Sequence, residues 1–551
     1  MDNLSKEQQY SRLDLAFAHF IAGRSVLEAK QKQALESLLA NLSFQLSQGH
    51  SCVQLDEVER QLIVDSAVVS EQQIAPLKLE RDRLYLYRYW FYEDRLAEQI
   101  KGLLRSSRAV EVKESLVNRY FIELIDEIDW QREAAIKVMK QSFSIITGGP
   151  GTGKTTTVVK ILALLQELAV LDNQPLHIAL AAPTGKAAMR LQESIGYSKS
   201  TLPCSEQIRQ WIPETVTTLH RLLGAKPSSP YFKHDASQPL VYDLVVVDES
   251  SMVDLALMSK LVDALKPGSR LVLLGDKDQL ASVESGAVLA DLSAALVDHT
   301  VELKKSHRFQ GEIKDLAVAV NRQDFNKAWD VLNNDSQQVA LLEGDLIEYI
   351  VNGYSPYLQK VKDSAEFKEI FAEFSCFQVL CSNRQGEQGV VELNRKVEEL
   401  MQRKHKIHIS GQWYVGRPIM VTQNNAAMQL YNGDIGICLL DKDQQKLAVY
   451  FLRPDGGVRK VLPSRVPEHE TVFAMTIHKS QGSEFDECLC VLPTVINPVL
   501  SKELIYTAIT RAKSRVKIAS SYAIFSQALQ RRVNRTGGLY EKLIKEEGVG
   551  G

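Results

Sequence analysis

A lysine and a threonine that close a run of glycines carry the first chemistry legible in this chain. Residues 143–159 read FSIITGGPGTGKTTTVV: an apolar, β-branched run enters a glycine-rich turn, which opens into a helix-prone segment from Lys154 onward. Gly148, Gly153, Lys154 and Thr155 fit the phosphate-binding spacing G-x-x-x-x-G-K-[ST]. Glycines let successive backbone N–H groups turn inward around a β-phosphate, where a side chain would block them. The helix N-terminus adds its positive dipole end, Lys154 reaches the β- and γ-phosphates, and the Thr155 hydroxyl takes a Mg²⁺ site. The expected cradle is Gly148, Gly149, Pro150, Gly151, Thr152, Gly153, Lys154, Thr155 and Thr156. By itself it says only that a nucleoside triphosphate binds.

Two further stretches bear on what is done with it. Residues 244–254, LVVVDESSMVD, have the pattern of a buried strand ending in two acids. Asp248 is placed to hold Mg²⁺ through its water shell, and Glu249 to position or deprotonate the attacking water, which separates a hydrolase from a binder. Strand ends often carry acids; a phosphate loop on the same sheet gives this pair its meaning. Residues 271–286, LVLLGDKDQLASVESG, repeat the strand-then-polar-turn pattern. Gln279 there either donates to a γ-phosphate oxygen or is a plain loop amide.

In order along the chain stand GGPGTGKTT, APTGKAA (182–188), DESSM, GDKDQL, SHRF (306–309), TIHKSQGSEFD (476–486) and YTAITRAK (506–513). This series resembles superfamily 1 DNA helicases and, within them, the RecD branch; the phrases at 382–394 and 416–434 are similar to it as well. The resemblance implies two RecA-like lobes with ATP and Mg²⁺ in the cleft between them. One lobe would supply Lys154, Thr155, Asp248, Glu249 and Gln279. Arg308 and Arg511 match the family's arginine fingers, which stabilise charge developing on the γ-phosphate as the lobes close. Gln131, in DWQREAA, matches the glutamine that reads the adenine edge, or else caps its helix. Thr184, Gly185 and Lys186 match a motif that grips single-strand phosphates, a task for which a helix N-terminus and a nearby Lys are chemically suited. Thr217, Thr218 and His220, with Thr476, His478, Lys479 and Gln481, resemble the other strand-contacting motifs. Movement along single-stranded DNA from 5′ to 3′ is the implied activity.

Within the branch, three features favour the exodeoxyribonuclease V α-subunit family over the stand-alone helicases. The N-terminal region is short and lacks paired hairpin glycines. The phrases LDLAFAHFIAGR (13–24) and RLYLYRYWFYE (83–93) resemble a domain that docks onto a partner subunit, and NRTGGLYEKL (534–543) resembles the family's tail. RecB-like and RecC-like partners, and a role in processing DNA double-strand ends for recombinational repair, are then implied, with any nuclease activity a partner's property. A stand-alone DNA helicase, an RNA-directed helicase and a hydrolytically dead structural subunit are the competing readings. The last predicts loss of Lys154, Glu249 or an arginine finger, and all are present.

These residues need elements to hold them. Strand candidates at 143–147, 177–181, 243–247 and 270–274 alternate with helical patterns, which predicts a parallel sheet covered by helices with ligand at the strand C-termini. Residues 225–239, AKPSSPYFKHDASQP, interrupt the alternation as an inserted loop or hairpin, where the family carries an insertion near the strand path that could serve as a strand-separating pin. A second α/β stretch follows, with strands at 377–381, 486–492 and 515–520 and a helix near 502–513. Inside it, 403–469 is short-stranded, and Asn432-Gly433 and Asp455-Gly456-Gly457 mark turns of a small β-barrel insertion. Residues 1–115 are helix-rich. Their aromatic stretch at 83–104 is a base-stacking platform, a docking face or a small core, the last two being favoured. The expected fold is α/β: a helical N-terminal docking domain (1–115), a first RecA-like lobe (116–300) and a second (301–551) carrying the insertion.

Composition sets outer limits. A chain of 551 residues holds about three or four domains. Hydrophobic content of 45% and charged content of 24% are those of an ordinary soluble protein, and a net charge of −3 offers no global basic field. Nucleic acid would therefore have to be held in local grooves. The N-terminus lacks secretory character, and no apolar run approaches the ~18 residues that span a bilayer, so a cytoplasmic location is expected. The seven cysteines are scattered, and neither Cys376 with Cys381 nor Cys488 with Cys490 has zinc-ribbon spacing. They read as small buried hydrophobes in a reducing compartment. His405 and His408 have no partner set for a metal.

Overall fold

The computed structural model describes residues 10–69, 75–106, 113–121, 128–226, 229–282, 284–305, 311–334, 336–405, 407–409, 411–425, 427–453 and 456–544. The first lobe is built on a six-stranded sheet in the order Val216–Thr218, Ile178–Ala182, Leu244–Val247, Arg270–Gly275, Phe143–Thr147, Thr300–Glu302. Every pairing in it is parallel. Its four inner strands are nearly continuous apolar runs because both faces are covered. Alternate residues serve opposite sides: Ile146, Leu180, Val246, Val272 and Leu274 join the core under helix Lys154–Leu171, whereas Ile145, Ala181, Val245, Leu271 and Leu273 join the core on the other face.

That second face is closed partly from outside the lobe's own stretch. Leu96, Ala97 and Ile100 of helix Tyr87–Arg105 pack into it, with Leu539 and Leu543 of the C-terminal helix Leu539–Ile544. The aromatic stretch therefore divides. Tyr85 is fully buried, and Tyr89 and Tyr92 pack against the first lobe's core. Trp90 lies between the ammonium groups of Lys78 and Lys542, at 4.9 and 5.2 Å. Tyr87 and Phe91 stack on the outside at 6.4 Å between ring centroids.

The second lobe repeats the plan with a five-stranded parallel sheet: Val339–Leu341, Ala512–Ala519, Phe485–Val491, Phe377–Cys381, Ala474–Thr476. From it projects an antiparallel sheet, Val458–Val461, Leu447–Leu452, Ile435–Leu440, Arg417–Val421, His469–Thr471. Ile419, Val421, Cys438, Val449 and Phe451 give that insertion a core of its own. The N-terminal region holds helices Arg12–Ala22, Ala29–Ser47 and Glu57–Asp65. It also holds a three-stranded antiparallel sheet that its helical composition does not announce: Cys52–Gln54, Arg83–Leu86, Leu77–Glu80. Strands this short carry too few alternations to be read by period. Among the described residues no helix is long and apolar enough to cross a membrane.

Chain ends and nucleotide lobe meet in one seam. Arg535 donates to the carbonyls of Glu284 and Gly286, at 2.7 and 2.8 Å, and to that of Ser282. Thr536 N–H donates to His50 Nδ1 at 2.9 Å, and Ser51 N–H to the Thr536 carbonyl at 3.0 Å. Gly286 N–H donates to the Gly49 carbonyl at 2.9 Å. Gly49 has φ +91°, and a Cβ there would stand 2.8 Å from the Arg535 guanidinium carbon. Gly49→Ala therefore introduces both strain and a clash. It should lower the unfolding midpoint by a shift corresponding to about 1–3 kcal/mol, and an unchanged midpoint by differential scanning fluorimetry would contradict the seam as described.

Candidate active site

Strand Phe143–Thr147 delivers the chain to the phosphate loop at the carboxyl edge of the first sheet. Gly148 N–H donates back to the Gly275 carbonyl at 3.2 Å, and Thr152 Oγ1 to the Gly149 carbonyl at 2.8 Å. Gly151 and Gly153 have φ +75° and +80°, in the left-handed region that glycine adopts without cost. At Gly148 a Cβ would lie 2.8 Å from Thr152 Oγ1 and 2.9 Å from the Leu303 carbonyl; at Gly149 it would lie 3.0 Å from the Tyr506 hydroxyl. At Gly148 a side chain would force the Leu303 backbone aside, and at Gly149 it would press on the Tyr506 hydroxyl. Lys154 Nζ donates to the Gly148 and Gly149 carbonyls at 2.6 and 3.1 Å. Its ammonium thus rests on the loop itself, within reach of an anion bound there. Glycine cradle, helix N-terminus and lysine together fit a triphosphate, and the Thr155 hydroxyl and Asp248 carboxylate fit its Mg²⁺.

Asp248 and Glu249 follow strand Leu244–Val247. Asp248 Oδ1 accepts from Glu249 N–H at 2.8 Å. Glu249 sits at φ +51°, an unusual conformation for a side-chain-bearing residue and one that turns it sharply off the strand. Burial, reinforced by the Glu249 charge and opposed by Lys154, pushes the Asp248 carboxyl up to about 6. Asp276, at the end of the neighbouring strand Arg270–Gly275, is likewise pushed to about 6, first by burial.

The second lobe completes the arrangement. Gln279 Nε2 donates to Asp276 Oδ2 at 3.1 Å, and Gln279 Oε1 accepts from Arg511 Nη2 at 2.8 Å. Arg511 is only 3% exposed and also donates to the Thr507 and Ser483 carbonyls, at 3.2 Å each. Between the lobes lies a cleft of about 560 Å³ that brings together Gln131, Pro150, Gly151, Gly153, Lys154, Thr155, Thr156, Asp248, Glu249, Gln279 and Arg511. Gly148, Gly149 and Thr152 form the turn behind it. The cap of helix Trp130–Lys140 is Asp129, which accepts from Gln131 N–H and Arg132 N–H at 2.9 and 3.2 Å. Gln131 is thus relieved of capping, and it lines the cleft. Arg308 lies outside the described residues.

Two cleft residues went unnoticed in the sequence. Arg190 of helix Gly185–Ser200 forms an ion pair with Glu484 of the second lobe, and both line the cleft. Lys186 and Arg190 stand four apart on one helix face, the one signal that could have found Arg190.

The residues expected to hold a strand are more dispersed. Ala182 pairs with Thr218, so the 184–186 and 217–220 groups share one end of the first sheet, where Val216–Thr218 is an edge strand. Thr476 ends Ala474–Thr476, an edge strand of the second sheet. Thr184 and Thr218 are helix caps, accepting from Ala187 N–H and Arg221 N–H. Gly185 has open space around its Cα. Lys186 is half-buried among Arg190, Asp434 and Arg511, and burial with the Arg190 charge pushes its ammonium down to about 8. It faces the second lobe. The Thr217 hydroxyl is buried without a partner. His220 is exposed and meets Phe232 of the inserted loop edge-on at 5.7 Å. Lys479 pairs with Glu470 at 2.6 Å, and burial, then Arg535, lowers the His478 imidazole. Gln481 is buried, its Nε2 donating to the Leu280 carbonyl at 3.0 Å; it joins the lobes rather than lining a surface.

Residues 131–285 match the AAA domain, 393–451 the SH3 domain of ATP-dependent RecD-like DNA helicases, 471–519 the UvrD-like helicase C-terminal domain, and 6–67 the N-terminal domain of RecBCD enzyme subunit RecD. The RecBCD enzyme subunit RecD of Mycolicibacterium smegmatis is 41% identical over 85% of this chain and 83% of its own length. The ATP-dependent RecD2 DNA helicase of Deinococcus radiodurans is 31% identical over 72% of this chain but 50% of its own length. Among solved structures, Bacteroides Pif1 bound to single-stranded DNA is similar at a TM-score of 0.41 and 18% identity, over 72% of this chain and 94% of that one. The chain belongs to the RecBCD enzyme subunit RecD family.

Proposed function

We propose that this chain is an ATP-driven motor on single-stranded DNA, moving 5′ to 3′ as the α subunit of a helicase–nuclease that processes DNA double-strand ends in the cytoplasm. The observation that carries the reading is the buried Arg511–Gln279 hydrogen bond, which sets an arginine of one lobe against the γ-phosphate-sensing loop of the other beside Lys154, Asp248 and Glu249.

In this mechanism Lys154 exchanges the Gly148 and Gly149 carbonyls for phosphate oxygens, and Gln131 meets the adenine edge. Thr155 and Asp248 would hold Mg²⁺, which when bound neutralises charge on the β- and γ-oxygens. Glu249, turned off its strand, orients the attacking water and accepts its proton. Arg511, with Arg308, stabilises the charge that develops on the transferred phosphoryl group, and Gln279 registers whether that group is present. Lobe closure and reopening in each cycle then alternates the grip on the strand between the 184–186 and 217–220 groups and the 476–479 group, while the buried Gln481 ties the lobes together.

The division into a docking unit within 1–115 and lobes within 116–300 and 301–551 belongs to the same reading, with the first lobe's sheet running on to Glu302 and helices Tyr87–Arg105 and Leu539–Ile544 packed into that lobe's core. RecB-like and RecC-like subunits are the expected partners, supported by the match of residues 6–67 to the N-terminal domain of RecBCD enzyme subunit RecD. A stand-alone helicase is the alternative, supported by the Deinococcus relative, of which this chain covers half.

Three outcomes are expected. Lys154→Gln should lower DNA-stimulated ATP hydrolysis at least about 100-fold with the fold retained, in keeping with the loss of a preorganised transition-state contact. Strand-stimulated turnover that survives in this variant refutes the site. Asp248 must lose its proton to take a metal, so Mg–ADP binding at pH 6 should release a fraction of a proton and at pH 8 none. Calorimetry in two buffers of different ionisation enthalpy reads this, and equal apparent enthalpies at pH 6 would contradict it. Tagged and expressed in its host, the chain should bring down two large subunits stoichiometrically together with nuclease activity. Recovery as an active monomer favours the stand-alone reading.

A further inference from the structure

Tyr506 has no part in the mechanism above, yet its hydroxyl stands beside the phosphate loop and on Asp276, the residue that holds Gln279. It lies on helix Lys502–Ile509 of the second lobe, just before Arg511. Its hydroxyl donates to Asp276 Oδ2 at 3.0 Å and would stand 3.0 Å from a Cβ on Gly149 in the phosphate loop. Asp276 Oδ2 also takes the Gln279 Nε2 donor at 3.1 Å, and Gln279 Oε1 takes Arg511 at 2.8 Å. The next residue of the same helix, Thr507, accepts from Leu280 N–H through Oγ1 at 3.0 Å. The helix and the arginine just past its end thus grip residues 276–280 of the other lobe at three points.

We propose that Tyr506 and Asp276 are a positioning pair that sets the orientation of Gln279 and holds it in register with Arg511. An ionised carboxylate only accepts, and a guanidinium only donates. Placed between them, the Gln279 amide has one satisfying orientation: its NH₂ toward Asp276 and its oxygen toward Arg511. Asp276 Oδ1 accepts from Asp278 N–H at 3.0 Å, and Tyr506 gives Oδ2, the oxygen that takes Gln279, a second donor that fixes its direction. Burial together with the Asp276 and Asp278 charges holds the Tyr506 phenol well above its ordinary range, which keeps it a donor. Because Tyr506 and Arg511 leave one helix and its end, movement of the second lobe carries the arginine and the anchor of its partner together. Sensor and finger would then disengage as a unit when the cleft opens.

The inference rests on the hydrolytic reading of the cleft, and the test separates the two. In the full-length chain, Tyr506→Phe removes one hydroxyl and keeps the ring. DNA-stimulated kcat should fall about tenfold, since misplacement of a catalytic group by a fraction of an ångström has effects of that order. KM for ATP should stay within about twofold and the unfolding midpoint unchanged, because the ATP contacts themselves are untouched. If Tyr506 acts through Gln279, introducing Tyr506→Phe into a Gln279→Ala background should cost less than about twofold more. Asp276→Asn, which keeps the shape and removes the charge, should show the same split between kcat and KM. Wild-type kcat in Tyr506→Phe overturns the proposal, as do losses that multiply in the double variant. So does a drop in kcat shared with KM and the unfolding midpoint, which is the signature of a merely structural role. Lys154→Gln assayed alongside distinguishes the failures: turnover retained there refutes the hydrolytic site, whereas turnover lost there and intact in Tyr506→Phe refutes only the positioning pair.

Discussion

Burying the Arg511 guanidinium between two lobes obliges its surroundings to supply oxygens for a cation that has almost no access to water. They do so with the Thr507 and Ser483 carbonyls and the Gln279 amide, all neutral groups. Each guanidinium nitrogen thereby has one hydrogen-bond partner, while among the described residues no carboxylate bonds to the charge, and desolvation makes that costly. Burial acts on the neighbouring charges as well: with Arg190 beside it, it drives the Lys186 ammonium down to about 8, and it drives the Asp248 and Asp276 carboxyls up to about 6. Lys154, Arg190 and Arg511 share one small cleft with Asp248, Glu249 and Glu484, an arrangement suited to a polyanion that arrives with a divalent metal.

The segment from Asp276 to Gly286 is held at both ends by parts of the chain remote in sequence. At its start, Tyr506, Thr507 and Arg511 of the second lobe engage Asp276, Gln279 and Leu280. At its end, Arg535 of the C-terminal segment takes the carbonyls of Ser282, Glu284 and Gly286, and Gly286 is tied in turn to Gly49. This loop of the first lobe is therefore shared between the second lobe and the seam that carries the N-terminal region. Buried backbone polar groups must find partners somewhere, and here they find them in three separate units of the molecule.

Much of the site was legible because its chemistry is local. The phosphate loop depends on backbone conformations that only glycine adopts, next to a strand and a helix whose apolar periods differ. Phe143–Thr147, Leu244–Val247, Arg270–Gly275 and Phe377–Cys381 appear close to where their apolar runs placed them. Side-chain facing was less legible. A lysine or glutamine in a strand-binding motif reads the same whether it points to solvent or to the other lobe; Lys186 and Gln481 point inward. Gln131 and Asp129 both suit a helix N-terminus, and packing gave the cap to the aspartate. Among the aromatics of 83–104, burial sorted Tyr85, Tyr89 and Tyr92 from Phe91, a distinction that composition does not hold.

By itself the sequence determined the class of molecule: two nucleotide-type lobes, the phosphate loop, the acids after its neighbouring strand and the ordered motifs of a helicase. Each of these is written in a few consecutive residues, where spacing along the chain and spacing in space are nearly the same thing. Tertiary structure alone decided which groups complete the site. Arg190 meets Glu484, Tyr506 meets Asp276, and Arg535 meets residues 282–286 only when segments hundreds of positions apart are folded together. Contacts of that kind leave no local pattern, because the physical requirement they meet, a partner for a buried charge or polar group, can be satisfied from anywhere in the chain.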